Sequence, residues 1–231
     1  MRYAMLMELI KARNERRRIA MVTNLANGAE RLVAHDKVKD DLLADDLEQA
    51  FRFDRSGIVK IGDAEYFINA YNPPLNLVIV GAVHLAQALI PLARAAGYDV
   101  TVIDPRAAFA SRERFPDVLV HNEWPDEVLP KLDLGSRTAL VALTHDPKID
   151  DPALTAALRS GCFYIGALGS KKTQGGRRER LAAAGFKEAD LNRIHGPIGL
   201  AIGARGPAEI AISIMAEITA ALRVGKGDEI R

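Results

Sequence analysis

The chain has 231 residues, 48% of them hydrophobic and 26% charged, with a formal net charge of +1. That length can bury a full core in one large domain or in a small one joined to a medium one, and the near-neutral charge excludes a strong field for nucleic acid or an anionic membrane. The single cysteine, Cys162, excludes an internal disulfide framework and a multi-cysteine metal site, and it suits a reducing compartment.

The opening run "MRYAMLMELIKARNERRR" has apolar residues at helical spacing, is short, contains Glu8 and lacks a small-residue cleavage site. It reads as a helix over about Leu6 to Arg17 and not as a leader. No stretch approaches the ~20 apolar residues that span a bilayer, so the chain reads as cytoplasmic. "IAMVTNL" follows as a strand, and an amphipathic helix covers about Asp40 to Phe51. "GIVKIGDAEYFINAY" reads as a hairpin, because two runs with β-branched and aromatic residues flank the turn-forming pair Gly62-Asp63. "NPP" at 72–74 then interrupts regular structure. Residues 1–74 are expected to form a small α+β segment and 75–231 a separate domain.

Beyond that boundary the pattern alternates. The apolar runs "LVIV", "DVTVID", "VLV", "TALVALT" and "CFYIGALG" each precede or follow a helix-like stretch, the signature of an α/β fold with a parallel sheet and crossover helices. A last helix starts near Pro207, with Ile210, Ile214, Ile218 and Leu222 along one face. The terminal "GKGDEIR" reads as a frayed end.

The first of these strands runs into a glycine turn, "GAVHLA". In a dinucleotide-binding turn the first glycine permits the bend, the second admits the pyrophosphate and the third allows helix packing. Here Gly81, Val83 and Ala86 hold those positions. Alanine is an accepted third residue, whereas a β-branched side chain at Val83 obstructs close approach and disfavours positive φ. His84 follows directly, Pro91 is placed to kink the ensuing helix, and Gly97 to end it. Asp104 closes the next strand about 20 residues on, where an acid takes ribose hydroxyls; ahead of Pro105 it would equally organise a turn. The turn is expected to hold a phosphate-containing ligand, the alternative being a retained sheet with an empty turn.

Thr144, His145 and Asp146 stand just beyond another strand, where open α/β sheets collect ligands, though a local turn-capping pair explains His145 and Asp146 as well. Asp151 and Pro152 read as the N-cap and first-turn residue of the helix "ALTAALRSG". Gly169 and Ser170, followed by Lys171 and Lys172, could converge on an anion or simply begin a solvated basic helix. His195, Gly203, Arg205 and Gly206 lie in a glycine-rich loop that either contacts ligand or only turns the chain. Cys162 reads as a small buried residue and not as a nucleophile.

As a set, "IVGAVHLAQAL", "VTVIDPRAAFASRERFP", "THDPKIDDPAL", "YIGALGSKK" and "RIHGPIGLAIGARGPAEIAISIMAEI" resemble the XdhC/CoxI family, the accessory proteins of xanthine dehydrogenase and related molybdenum hydroxylases. The resemblance spans roughly residues 75–220 in the family's order. It implies a Rossmann-like C-terminal domain that binds molybdenum cofactor, aids its sulfuration and delivers it to a partner apoenzyme. Carried over by position, it points to Gly81, Ala82, Val83, His84, Asp104, Arg106, Thr144, His145, Asp146, Gly169, Ser170 and Lys171 as cofactor-binding. It assigns no catalytic or metal-ligating residue. The implied partners are a molybdenum hydroxylase apoenzyme, a cysteine desulfurase and further copies of the chain, with neither nucleic acid nor membrane. The serine-proline-arginine and glycine-glycine-cysteine motifs of longer members do not appear before residue 75, so no thiolate stands there to handle sulfur. No nucleophile with its base and orienting partner is recognisable, which favours a carrier over a catalyst. The alternatives are an NAD(P)-dependent oxidoreductase and an interaction protein without its own ligand.

Overall fold

The computed structural model describes residues 2–224, and the terminal "GKGDEIR" lies outside the described residues. The chain divides into two compact units, Met1–Pro73 and Pro74–Arg231.

In the first unit α1 (Tyr3–Asn14) precedes β1 (Ile19–Asn24) and β2 (Glu30–Ala34), then α2 (Ala44–Phe53), β3 (Gly57–Ile61) and β4 (Ala64–Tyr71). The strands form an antiparallel sheet in the order β2-β1-β4-β3. Gly62 and Asp63 make the expected two-residue connection, with Gly62 at φ +57°. Val22, Val38, Leu47, Phe51 and Ile68 fill the core beneath α2. α1 begins and ends earlier than its apolar spacing suggests. Arg16 adopts φ +54°, and the N–H groups of Arg16 and Arg17 close on the carbonyls of Arg13 and Ala12, so the chain turns before the basic run is wound into helix. Sequence reasoning passed over β2, an edge strand with Val33 alone buried, although Asn27-Gly28 ahead of it is a hairpin-forming pair, with Gly28 at φ +71°.

The second unit is a Rossmann fold. Its strands are β5 (Leu75–Val80), β6 (Tyr98–Ile103), β7 (Leu119–His121), β8 (Thr138–Ala142), β9 (Tyr164–Ala167) and β10 (Ile194–His195). They pair in parallel in the spatial order β10-β9-β8-β5-β6-β7, so the order reverses between β5 and β8. The helices are α3 (His84–Ala95), α4 (Pro125–Val128), α5 (Pro147–Arg159), α6 (Lys171–Ala183), α7 (Glu188–Leu191) and α8 (Pro207–Arg223).

Alternation along the strands builds two cores. Leu77, Ile79, Val102, Val141 and Tyr164 face α3 and α8, where Leu85, Leu89, Ile214 and Ile218 are buried. Val78, Val80, Ile103, Leu140 and Ile165 face Ile149, Leu154 and Leu158 of α5. Strands buried on both faces are what the unbroken apolar runs require. α3 continues through Pro91, and Gly97 at φ +84° follows its end.

α5 starts earlier than the pair Asp151-Pro152 suggests. Asp146 is its N-cap, accepting from the Lys148 N–H, and Pro147 is its first residue. Asp151 instead pairs with Arg180 of α6.

Candidate functional site

In an open parallel sheet, the crevice beyond the carboxyl ends of the strands opens where strand order reverses. Here that is between the loop after β5, containing Gly81 to His84, and the loop after β8, containing Thr144 to Asp146. Gly81 adopts φ +114°, and a Cβ there would stand 2.7 Å from the Thr144 methyl carbon and 3.3 Å from the Thr144 nitrogen. The glycine is required because the two loops touch.

Val83 is not the obstacle expected. It has φ −88° and ψ 171°, an extended conformation open to β-branched residues, and its side chain packs against the core between sheet and α3. As N-cap of α3 it offers no side-chain hydrogen bond, and His84 beside it is exposed.

Asp104 does not face a ribose. Its carboxylate is fully buried, accepts from the Ala82 N–H at 2.8 Å, and is gripped by Arg106 through Nε at 2.9 Å and Nη2 at 2.8 Å. The Arg106 backbone N–H donates to the same carboxylate at 3.0 Å. These contacts consume the oxygens that a ribose diol would need, so Asp104 ties the end of β6 to the glycine turn. The turn-organising alternative describes its geometry.

Thr144, His145 and Asp146 are likewise shaped from below. The buried Asp150 on α5 accepts from the Thr144 hydroxyl at 2.6 Å, the Thr144 N–H at 3.2 Å and the His145 N–H at 3.1 Å. Held in this way, His145 takes φ +68°, costly for a residue other than glycine, and its side chain stays exposed. Asp146 spends an oxygen on the α5 cap.

Asp150 also forms a buried ion pair with Arg177 of α6 at 3.1 Å. Arg177 donates to the Leu168 carbonyl at 3.1 Å and to the Gln174 side-chain oxygen at 2.6 Å, while the Gln174 amide donates to the Ala167 carbonyl at 3.0 Å. Sequence reasoning passed over Asp150, Gln174 and Arg177, which lock the loops after β8 and β9 to one another. A signal was present: Asp150 falls in line with Ala153, Leu154 and Ala157, so a charge interrupts the apolar face of α5.

Ser170 caps α6 by accepting from the Thr173 N–H at 3.3 Å, and Gly169 at φ +134° leaves room for the Thr173 side chain. The Ser170 hydroxyl thus takes up one N–H at the start of α6, with Lys171 and Lys172 exposed beside it. Arg205 gives its backbone N–H to Glu209 at the start of α8.

His195 belongs to a second polar cluster. Its ring stacks on Tyr164 at 4.6 Å and its Nδ1 lies 3.1 Å from Glu217 of α8, which also accepts from the Tyr164 hydroxyl and, at 2.8 Å, from the Gly199 N–H. Burial alone would raise the Glu217 carboxyl, but hydrogen bonds from His195, Tyr164 and Gly199 outweigh it and hold the group below the usual carboxylate range. At Asp104 burial again acts upward and is outweighed, here by Arg106 and the Ala82 N–H. Both carboxylates therefore contribute stability that is complete above their unfolded value of about 4 and is lost as pH falls through the lower folded value. The contribution of these two carboxylates to the urea midpoint is expected to be level from pH 7 to about 5 and to decline below about 4, with a shallower decline in Glu217→Gln. Parallel acid limbs for the two proteins would refute the role of Glu217. Cys162 is buried, and burial pushes its thiol up, as suits a packing residue.

Comparison with known proteins gives consistent results. The family described as the XdhC Rossmann domain matches residues 77–218. A probable xanthine dehydrogenase component of Bacillus subtilis (strain 168) is 32% identical over 154 residues, covering 66% of this chain and 44% of that protein. The molybdenum cofactor insertion chaperone PaoD of Escherichia coli (strain K12) is 31% identical over 148 residues, covering 64% and 40%. The uncharacterized protein YqeB of the same strain is 30% identical over 159 residues, covering 68% and 29%. The chain thus spans less than half the length of these relatives. A crystal structure described as a xanthine dehydrogenase from Bacillus halodurans superposes with a TM-score of 0.69 at 23% identity, covering 95% of this chain and 64% of that one, a likeness of fold. Among the described residues no helix is long and apolar enough to cross a membrane.

Proposed function

This chain belongs to the XdhC family through its Rossmann domain, and on that premise we propose that it binds molybdenum cofactor in the crevice between β5 and β8 and passes it to a molybdenum hydroxylase apoenzyme. The observation that carries the reading is the N-terminus of α3. α5 and α6 are closed by their own side chains, Asp146 and Ser170, whereas no side chain caps α3 at the point where strand order reverses. Uncapped N–H groups and the helix dipole favour an anion, and the phosphate of a pterin cofactor supplies one.

The turn from Gly81 through Ala82 and Val83 to His84 would hold the phosphate, with the exposed His145 and the Arg106 guanidinium nearby and Lys171 at the neighbouring helix start. Asp104, Thr144, Asp146, Gly169 and Ser170 serve by shaping the loops. The cofactor, when bound, supplies the redox chemistry of the client enzyme; this chain binds, orients and shields it. The work is placed in the cytoplasm, with a cysteine desulfurase as the sulfur source and self-association of the chain as a further part of the reading. Against NAD(P) chemistry, Asp104 has no oxygen left for a ribose.

The test is purification from cells able and unable to make molybdopterin, with assay of pterin fluorescence and molybdenum after denaturation. Pterin in stoichiometric amount from the first source alone is expected. Equal, negligible amounts from both would remove the reading and leave a protein that works through interaction alone, and bound NAD(P) in place of pterin would favour the oxidoreductase.

A further inference from the structure

The loop after β6 contains one aromatic residue that the fold leaves outside. Ala110 and Phe115 are buried in the core shared with α3, pinning the loop, while Phe109 next to them is 42% exposed. Its surroundings are fixed. The Arg106 guanidinium lies over the Phe109 ring at 4.4 Å from the centroid and is anchored from below by the buried Asp104 carboxylate. The Arg114 guanidinium lies 5.9 Å from the same centroid and donates to the Ala82 carbonyl at 3.0 Å, inside the glycine turn. Arg114 and Gln87 of α3 also exchange hydrogen bonds. The ring is thereby registered to the turn at the start of α3 through Arg106 and Arg114.

We propose that Phe109, backed by Arg106, is a stacking platform for a planar fused nitrogen heterocycle, a pterin or a purine, whose phosphate lies at the N-terminus of α3. The inference rests on the phosphate-binding reading of that turn and adds to it the place of the ring. Aromatic faces and guanidinium planes both stack on flat heterocycles and tolerate their identity, since every such ring presents a π face. Covering the ring also removes from water an apolar surface that the fold itself does not bury.

The full chain is titrated with 6-carboxypterin by fluorescence anisotropy, and with GMP and ribose 5-phosphate by calorimetry. At least one ring-bearing probe is expected to bind more tightly than ribose 5-phosphate, and the two rings distinguish pterin from purine. Phe109→Ala is expected to weaken ring-bearing probes roughly tenfold and to leave ribose 5-phosphate unchanged, while Phe109→Trp retains or strengthens binding. Because the side chain is exposed, an unchanged melting temperature certifies the fold of each variant. The platform is overturned if Phe109→Ala binds the rings as wild type does, if ribose 5-phosphate binds as tightly as they do, or if neither ring binds. Phe109-dependent GMP binding by a chain that carries no pterin from competent cells would keep the platform and remove the molybdenum cofactor reading. Undiminished co-purified pterin in Phe109→Ala would do the reverse.

Discussion

Arg177→Met is expected to destabilise the second unit by about 3–5 kcal/mol, because it strands the Asp150 carboxylate in the interior without its ion partner. In a unit of this size each kcal/mol shifts the melting temperature by about 2–4 °C, so a fall of roughly 10 °C is anticipated. The effect comes from breaking the pair and not from any large net stabilisation by it. Among the described residues Arg177 Nε has no hydrogen-bond partner, which adds to the cost of burying the guanidinium. Pairing Arg177→Met with Asp150→Asn should therefore recover part of the loss, since the neutral asparagine leaves no unpaired charge and its amide oxygen still accepts from Thr144, while its nitrogen leaves the His145 N–H without this acceptor. Urea titrations of both singles and the double give the coupling directly. A single-variant loss below about 1 kcal/mol, or additive effects, would show that this pair does not hold the loops after β8 and β9 together.

Gly81→Ala combines two penalties at the turn itself. An L side chain at φ +114° costs about 1–3 kcal/mol in backbone strain, and its Cβ would press on the Thr144 methyl from 2.7 Å at a further cost of about 1–3 kcal/mol. A loss of about 2–6 kcal/mol is expected, together with weaker binding of phosphate ligands as the two loops are forced apart. Thr144→Ser in the Gly81→Ala background separates the parts: it removes the methyl, keeps the hydroxyl bond to Asp150, and should relieve the contact penalty but not the strain. If the second substitution recovers nothing, the glycine is required for its conformation alone.

Much of the fold is legible in adjacent residues. The apolar runs from "LVIV" to "CFYIGALG" lie in β5 to β9, and the Gly62-Asp63 pair is the hairpin turn, because a strand buried on both faces and a two-residue connection each leave a local mark. β2 left a fainter one, Asn27-Gly28 at the turn before it, since the strand itself buries Val33 alone. The start of α5 shows the limit of local rules. Asp146-Pro147 and Asp151-Pro152 are the same N-cap and first-turn signal, and what separates them is remote: starting at Pro147 turns Asp150 inward to meet Arg177 on another helix.

The candidate site divides in the same way. From the sequence come the glycine bend, the positions of the loops along the chain, and the family. The roles of their side chains were settled by partners distant along the chain. Asp104 looked free for a ribose until Arg106 and the Ala82 N–H were brought against it, and Val83 looked obstructive until its backbone proved extended and its side chain packed against the core. Periodicity reports which way a residue faces relative to its own helix or strand, and backbone propensity reports what a few neighbours prefer. A hydrogen bond to a buried carboxylate depends on where two separate segments end in space, so only the folded chain decides which of these polar groups is spent within the protein and which remains for a ligand.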